Sequence, residues 1–328
     1  MTQQFIKGAS AEMKVAAEWQ QRDRELSRRY VAFRVSAWII PFAFLPVVFA
    51  QPRAASQTVV ITTEPNAIIW VDEVRRGTTD ASGRLDLKKV SAGRHSVRVR
   101  ASGFKETTTP LLPGRRSLAI KLLRTSDQAE LLYQQAEEAR EKAKDDPARQ
   151  QAADLYRQAL DLRASFPAAH LGLARVLMDL NKNQDALAEI AEARRSRPVY
   201  PEASAVEGRI HRQAAFDDDA IASFRRAIRE GKGFQPEALV GLARLYEEQG
   251  KFDLAIPEYQ KALTQLSDSE PVIYQLLGAA YEKQQKFKEA VAAYEKYLAL
   301  APNGSLAPAI RSIIDQLRRE ADGHEIIP

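Results

Sequence analysis

Three patterns of apolar and polar positions follow one another along the 328-residue chain. The first is an uncharged, mostly apolar run from Val35 to Gln51, reading VSAWIIPFAFLPVVFAQ. The second has a period of two: Val59, Ile61 and Thr63 alternate, then Ile68, Trp70 and Asp72, then His95, Val97 and Val99, then Leu118, Ile120 and Leu122. Turn signals at Pro65-Asn66, Arg76-Gly77, Ser82-Gly83, Ala92-Gly93, Ser102-Gly103 and Pro113-Gly114 separate these runs. Short alternating runs bounded by such turns predict a small antiparallel β sandwich over residues 51–124. A segment of this size buries only a modest core, which puts Trp70, Phe104 and the Val/Leu faces at its centre. From Ser126 the period is helical.

Within the helical part a longer repeat emerges. The segments Pro167–Tyr200, Pro201–Phe234, Pro236–Ser269 and Pro271–Gly304 align without gaps inside each helix pair. Each carries a small residue in its first helix (Ala174, Gly208, Ala243, Gly278) and an alanine opening its second (Ala186, Ala220, Ala255, Ala290). These alanines lie 34, 35 and 35 residues apart, and a large residue follows each by four: Ile190, Phe224, Tyr259, Tyr294. Antiparallel helices approach closely only where small side chains meet, and the large residue fills the gap to the next pair. Ala136, Ala152, Tyr156 and Ala159 mark a degenerate earlier copy, with four extra residues around Asp145-Asp146-Pro147. The array, about five repeats, thus covers residues 125–304. Leu306, Ile310, Ile313, Ile314 and Leu317 form one apolar stripe, which predicts a capping helix over residues 305–322 before a tail at 323–328.

Both halves resemble known families. The order Val59-Val60-Ile61, Glu64-Pro65-Asn66-Ala67, Trp70-Val71-Asp72, Gly77, Ala92-Gly93-Arg94-His95-Ser96-Val97 and Ser102-Gly103-Phe104 resembles a PEGA domain. Asn66 stands where that family's motif has glycine, and asparagine tolerates positive φ better than most residues. Thr79 to Leu85 is also similar to the carboxypeptidase regulatory-like sandwich. Neither likeness implies catalysis, and PEGA modules are associated with exported and surface proteins. The helical segments resemble the tetratricopeptide repeat: Gly241-Leu242-Ala243-Arg244-Leu245-Tyr246 with Gly250, Ala255, Tyr259 and Ala262 reproduce most of its signature. Together the likenesses imply a multidomain chain, a small all-β sandwich followed by an all-α right-handed solenoid. The first helices of such a solenoid line a concave groove that binds a peptide or protein.

The residue after each small one then faces the groove: Arg175, Arg209, Arg244, followed by Ala279. Arg212, Glu247, Glu248 and Glu282 lie about one helical turn further on. Two readings stay open. The arginines form a ladder that grips carboxylates bidentately, or they pair with the groove glutamates and keep it solvated.

Charge changes the picture when it is divided. The net charge of +5 resolves into +3 over residues 1–50, +8 over 51–124 and −6 over 125–328. Arg75, Arg76, Arg94, Arg98 and Arg100 supply much of the basic middle. They are either a surface for an anionic partner, such as an envelope polymer or surface component, or the solvated outer face of a sheet. The alternation of Arg98 and Arg100 with inward Val97 and Val99 favours the solvated face. No dense basic patch with interleaved aromatics occurs, so nucleic acid is not an expected partner.

The chain has no cysteine, and its four histidines (His95, His170, His211, His324) lie too far apart to suggest a metal cluster. No Gly-rich phosphate loop, paired-histidine zinc motif or Gly-x-Ser-x-Gly elbow is present, so no enzyme, cofactor or metal is expected. Glu64, Asp72 and Asp80 have no reason to converge, and Asp217-Asp218-Asp219 reads as a turn and helix N-cap rather than a calcium loop.

Arg22, Arg24, Arg28, Arg29 and Arg34 precede the apolar run, which ends in Val48-Phe49-Ala50 before a cut site after Ala50. That order is the signature of a secretory signal within residues 1–50, with a polar region of 34 residues from Met1 or 22 from Met13. The run is short for a membrane span of roughly 20 residues, and Pro41 and Pro46 strain a helix. A cleaved signal is the favoured reading, with an uncleaved anchor at residues 35–51 or a buried helix as alternatives; the first two place the remainder in the periplasm or on the cell surface. The functional expectation is an exported, non-catalytic scaffold binding a peptide or protein in its groove, with the β domain docked to an envelope component. The alternatives are a structural subunit of an envelope or secretion assembly and a cell-wall-binding accessory of an envelope enzyme. Oligomeric state is open.

Overall fold

The computed structural model describes residues 57–324 apart from 73, 91, 92 and 267–269. The expected leader at 1–50 and the last four residues of the tail lie outside the described residues. Seven strands come first: β1 (Gln57–Thr62), β2 (Ile68–Val71), β3 (Val74–Thr78), β4 (Arg84–Val90), β5 (His95–Arg100), β6 (Thr107–Leu111) and β7 (Ser117–Ala119). They form two sheets, ordered β4-β1-β7 and β3-β2-β5-β6. One core is shared between the sheets: Val59, Ile61 and Leu87 from the first, Ile69, Val71, Val97, Val99 and Leu111 from the second. The turn between β1 and β2 places Asn66 at φ 56°, and the buried Thr79 hydroxyl ties that turn down by donating to the Glu64 carbonyl at 2.7 Å.

Two expectations are corrected here. The pairing is not wholly antiparallel, because β7 runs parallel to β1, with Ile61 opposite Leu118. The intervening β6 belongs to the other sheet, so the returning chain reaches the β1 edge from the same end as β1. The other correction is Trp70, which is not in the shared core. Ile69 and Val71 face inward, and Trp70 lies on the opposite face beneath the Arg98 guanidinium, 4.2 Å from the ring centroid. Four consecutive apolar residues, Ile68 to Val71, leave a period of two undetermined in phase, and a one-residue slip exchanges the faces.

Eleven helices follow among the described residues. They are α1 (Gln128–Lys142), α2 (Asp146–Leu162), α3 (Pro167–Asp179), α4 (Asn183–Ser196), α5 (Pro201–Gln213), α6 (Asp217–Glu230), α7 (Pro236–Glu248), α8 (Phe252–Gln265), α9 (Pro271–Lys283), α10 (Phe287–Leu300) and α11 (Ala307–His324). α3, α5, α7 and α9 each begin with proline, whose fixed φ suits the first helical position and whose missing N–H costs nothing there. Each of the four pairs from α3 to α10 turns through one left-handed residue: Asn181, Ala215, Gly250 or Gln285, with φ between 58° and 69°.

Ala174, Ala186, Ala220, Ala243, Ala255 and Ala290 are 0% exposed, and Gly208 and Gly278 are buried in their helices. The Phe224 ring explains the small residues around it. A Cβ added at Gly208 in its own pair would lie 2.6 Å from that ring, and one at Gly241 in the next pair 2.4 Å from it. α11 closes the array by laying Ile310, Ile314 and Leu317 on Tyr294 and Tyr297. Asp217 opens α6 and the cap residue is Phe216, so the three aspartates fill the first turn rather than capping it; there their charge complements the helix dipole. Among the described residues no helix is long and apolar enough to cross a membrane. The sheets and the helices belong to one compact unit, Ala54–Pro328.

Candidate functional site

The outer face of β5 is not a solvated surface. Arg100 is only 6% exposed, because α1 lies over it. Its Nε donates to Glu106 on β6 at 2.8 Å, its Nη1 to Glu137 on α1 at 3.1 Å, and its Nη2 to the Tyr133 hydroxyl at 2.6 Å. Glu137 is also paired with Arg140 at 3.3 Å and accepts the Tyr156 hydroxyl of α2. Burial alone would raise the Glu137 carboxyl, but Arg140, Arg100 and the Tyr156 hydroxyl overcome it and hold the group at about 2. Beside this network Gln134 donates to the Phe104 carbonyl at 2.8 Å and accepts the Gly103 N–H at 3.0 Å. Arg75 meets Glu141 at 3.0 Å.

The sheet touches the array a second time, several repeats further on. Val74, at the start of β3, packs against the apolar core that runs from α5 to α10. Burial pulls the neighbouring Arg76 guanidinium below its usual value, opposed by the carboxylates of Glu270, just before α9, and Asp72. Asp72 accepts the Ser96 N–H at 2.8 Å and lies 2.6 Å from His95 Nδ1, which fixes the β2–β3 turn to the start of β5.

Between these two contacts lies a cavity of about 1620 Å³, walled by the outer face of the four-stranded sheet and by the inner helices α1, α3, α5, α7 and α9. Arg175, Arg209, Arg212 and Arg244 all line it. Glu237, opening α7, draws two of them together: Arg209 Nη1 lies 3.1 Å from its Oε1 and Arg175 Nη2 4.0 Å from its Oε2. Arg212 pairs with Glu248 at 2.5 Å, while Arg244 stands exposed in the cavity. These four arginines line one cavity, and three of them have carboxylate partners within the chain.

Glu247 and Glu282 do something else. Glu247 accepts the Tyr259 hydroxyl at 2.7 Å and Glu282 the Tyr294 hydroxyl at 3.1 Å, ties between the two helices of one pair. Neither they nor Glu248 line the cavity. The sequence reading missed Glu202, Glu237 and Glu270, each beside the proline that opens an inner helix, and that recurring Pro–Glu neighbourhood was the signal available. It also placed Arg98 and Arg100 in solvent; both line the cavity, as do Arg75, Arg76 and Arg94. Eleven arginines and one lysine face seven carboxylates there, so the site is cationic and suits an anionic ligand. Among the described residues no cluster of three or more His, Cys, Asp or Glu is placed to hold a metal ion.

Tandem helix pairs stacked in register, with a cap over the last, define an α-solenoid. Models of the tetratricopeptide repeat match residues 143–210 and 234–303, so the array is a tetratricopeptide-repeat solenoid, a scaffold suited to protein–protein interaction. No curated protein matches the chain. Solved structures similar to it include PilF of Pseudomonas aeruginosa, at 14% identity over 58% of this chain and 88% of that one, TM-score 0.49. A thermophilic tetratricopeptide-repeat protein of Thermus thermophilus is 19% identical over 58% and 98% of the two chains, TM-score 0.48. MamA of Desulfovibrio magneticus is 17% identical over 55% and 98%, TM-score 0.43.

Proposed function

We propose that the chain is an exported, non-catalytic adaptor that binds an acidic peptide or protein segment on the concave face of its repeat array. One observation carries this reading: Arg175, Arg209, Arg212 and Arg244, from three successive repeats, line a single cavity with an excess of positive charge. Guanidinium groups bind carboxylates through paired hydrogen bonds, so a row of them suits a segment that carries several carboxylates.

Export is supported by the arginine-rich segment ahead of the apolar run Val35 to Gln51. The β domain, PEGA-like in its sequence, docks an envelope or surface component. The basic residues it would use are those outside the cavity, Arg115, Arg116 and Lys121, all exposed.

The test is fluorescence anisotropy of a labelled ten-residue polyglutamate peptide titrated with the full chain. Replacing Arg209 and Arg244 together by alanine weakens binding roughly tenfold or more, since each removes a charge-assisted contact. The fold should persist, because the Arg209–Glu237 pair is half-exposed and such pairs contribute about 1 kcal/mol or less. Unchanged affinity in the double variant would remove the arginine row from the function.

A further inference from the structure

We infer that the ligand site is composite: the sheet supplies one wall and the inner helices the other, and an extended acidic polypeptide segment is gripped between them. This deepens the reading of the groove as an acidic-segment site and rests on it. The observation is that arginines from opposite sides share one cavity, Arg94 and Arg98 from the sheet and Arg175, Arg209 and Arg244 from the array.

The two walls are fixed relative to each other. Arg100 joins β5 to α1 through Glu137, Arg75 joins β3 to Glu141, and Val74 sits on the core of the later repeats. The cavity is therefore a built space. Its carboxylates are largely committed: Glu106 and Glu137 to Arg100, Glu141 to Arg75, and Glu237 to Arg209 and Arg175. Among the described residues neither Arg94 on the sheet side nor Arg244 on the array side forms an ion pair, and both are exposed. Each wall thus carries an uncommitted arginine, ready for a ligand carboxylate from either side.

The ligand's form follows from the enclosure. The sheet is tied down at α1 and again near α9, which narrows the approach to the inner helices and favours an extended chain, at about 3.3 Å per residue, over a folded domain. Its charge follows from the lining, and arginine rather than lysine predominates, which suits planar carboxylates. A ligand held this way touches Arg94 as closely as Arg244. The β domain is then part of the receptor as well as its envelope-docking module.

The experiment uses the same labelled polyglutamate decapeptide and the full chain, with Arg94→Ala, Arg244→Ala and, as a control exposed outside the cavity, Arg195→Ala. Each cavity variant is expected to weaken binding roughly five- to tenfold, the effect of one lost charge-assisted contact, and the control to leave it unchanged. If Arg244→Ala weakens binding while Arg94→Ala does not, the segment lies on the array alone; the composite site is overturned and the groove reading survives. If the wild-type chain does not bind the peptide, both fail. Equal weakening by Arg195→Ala would reduce the effect to overall charge and overturn the site. Inorganic polyphosphate binding more tightly than the peptide, with the same dependence on Arg94 and Arg244, would overturn the polypeptide assignment. Neither Arg94 nor Arg244 takes part in the ties between the walls, so melting temperatures should match the wild type.

Discussion

Through the carboxylate of Glu137, three elements meet: Arg100 reaches it from β5, Arg140 from its own helix, and Tyr156 from α2. A carboxylate held at about 2 when folded, well below its value in the unfolded chain, favours the folded state above pH 4.5, and that contribution is lost as pH falls toward 2. The shift corresponds to about 3 kcal/mol, and removing one partner of a buried pair costs a similar amount. Glu137→Gln should therefore lower stability at pH 7 by roughly 3 kcal/mol, read by thermal or urea unfolding. Between pH 4.5 and 2 the wild type should lose stability more steeply than the variant. Equal stability at pH 7 would mean that the joint between sheet and array is held elsewhere. Nothing in the sequence announced this residue. Glu137 sits in a helix rich in charged residues, and its role depends on Arg100, 37 positions away.

At the scale of elements, the repeat was legible because one physical requirement recurs: small residues where two helices touch and a large one in the gap. Phe224 meets that requirement twice, against Gly208 within its pair and Gly241 in the next. Gly241→Ala puts a methyl 2.4 Å from a fully buried ring that has nowhere to turn. The expected cost is about 1–3 kcal/mol, measured by denaturant unfolding; a neutral result would place the contact between α6 and α7 elsewhere. Four of the seven strands were legible as alternating runs between turn signals, but their phase was not legible throughout. Where polar residues alternate, as in β5, the inward set Val97 and Val99 could be read directly. Where they do not, as in β2, Trp70 was assigned to the wrong face. The aspartates at 217–219 were misplaced by a single residue, the difference between capping a helix and charging its first turn.

For the molecule as a whole, the arginine row could be read from the repeat, since Arg175, Arg209 and Arg244 hold equivalent positions in successive pairs. The opposite wall could not. Periodicity says that Arg98 and Arg100 point away from the sheet's own core, but not that another part of the chain covers them. That long-range contact turns two separately basic features into one cavity, and it makes the relation of the β domain to the array the centre of the functional argument. Hydrogen–deuterium exchange of the full chain, with and without the polyglutamate decapeptide, tests it most directly. The expected result is peptide-dependent protection on both walls, in α3, α5 and α7 and in the strands of the β3-β2-β5-β6 sheet. Protection confined to the outer helices α4, α6 and α8, or none at saturating peptide, would contradict it.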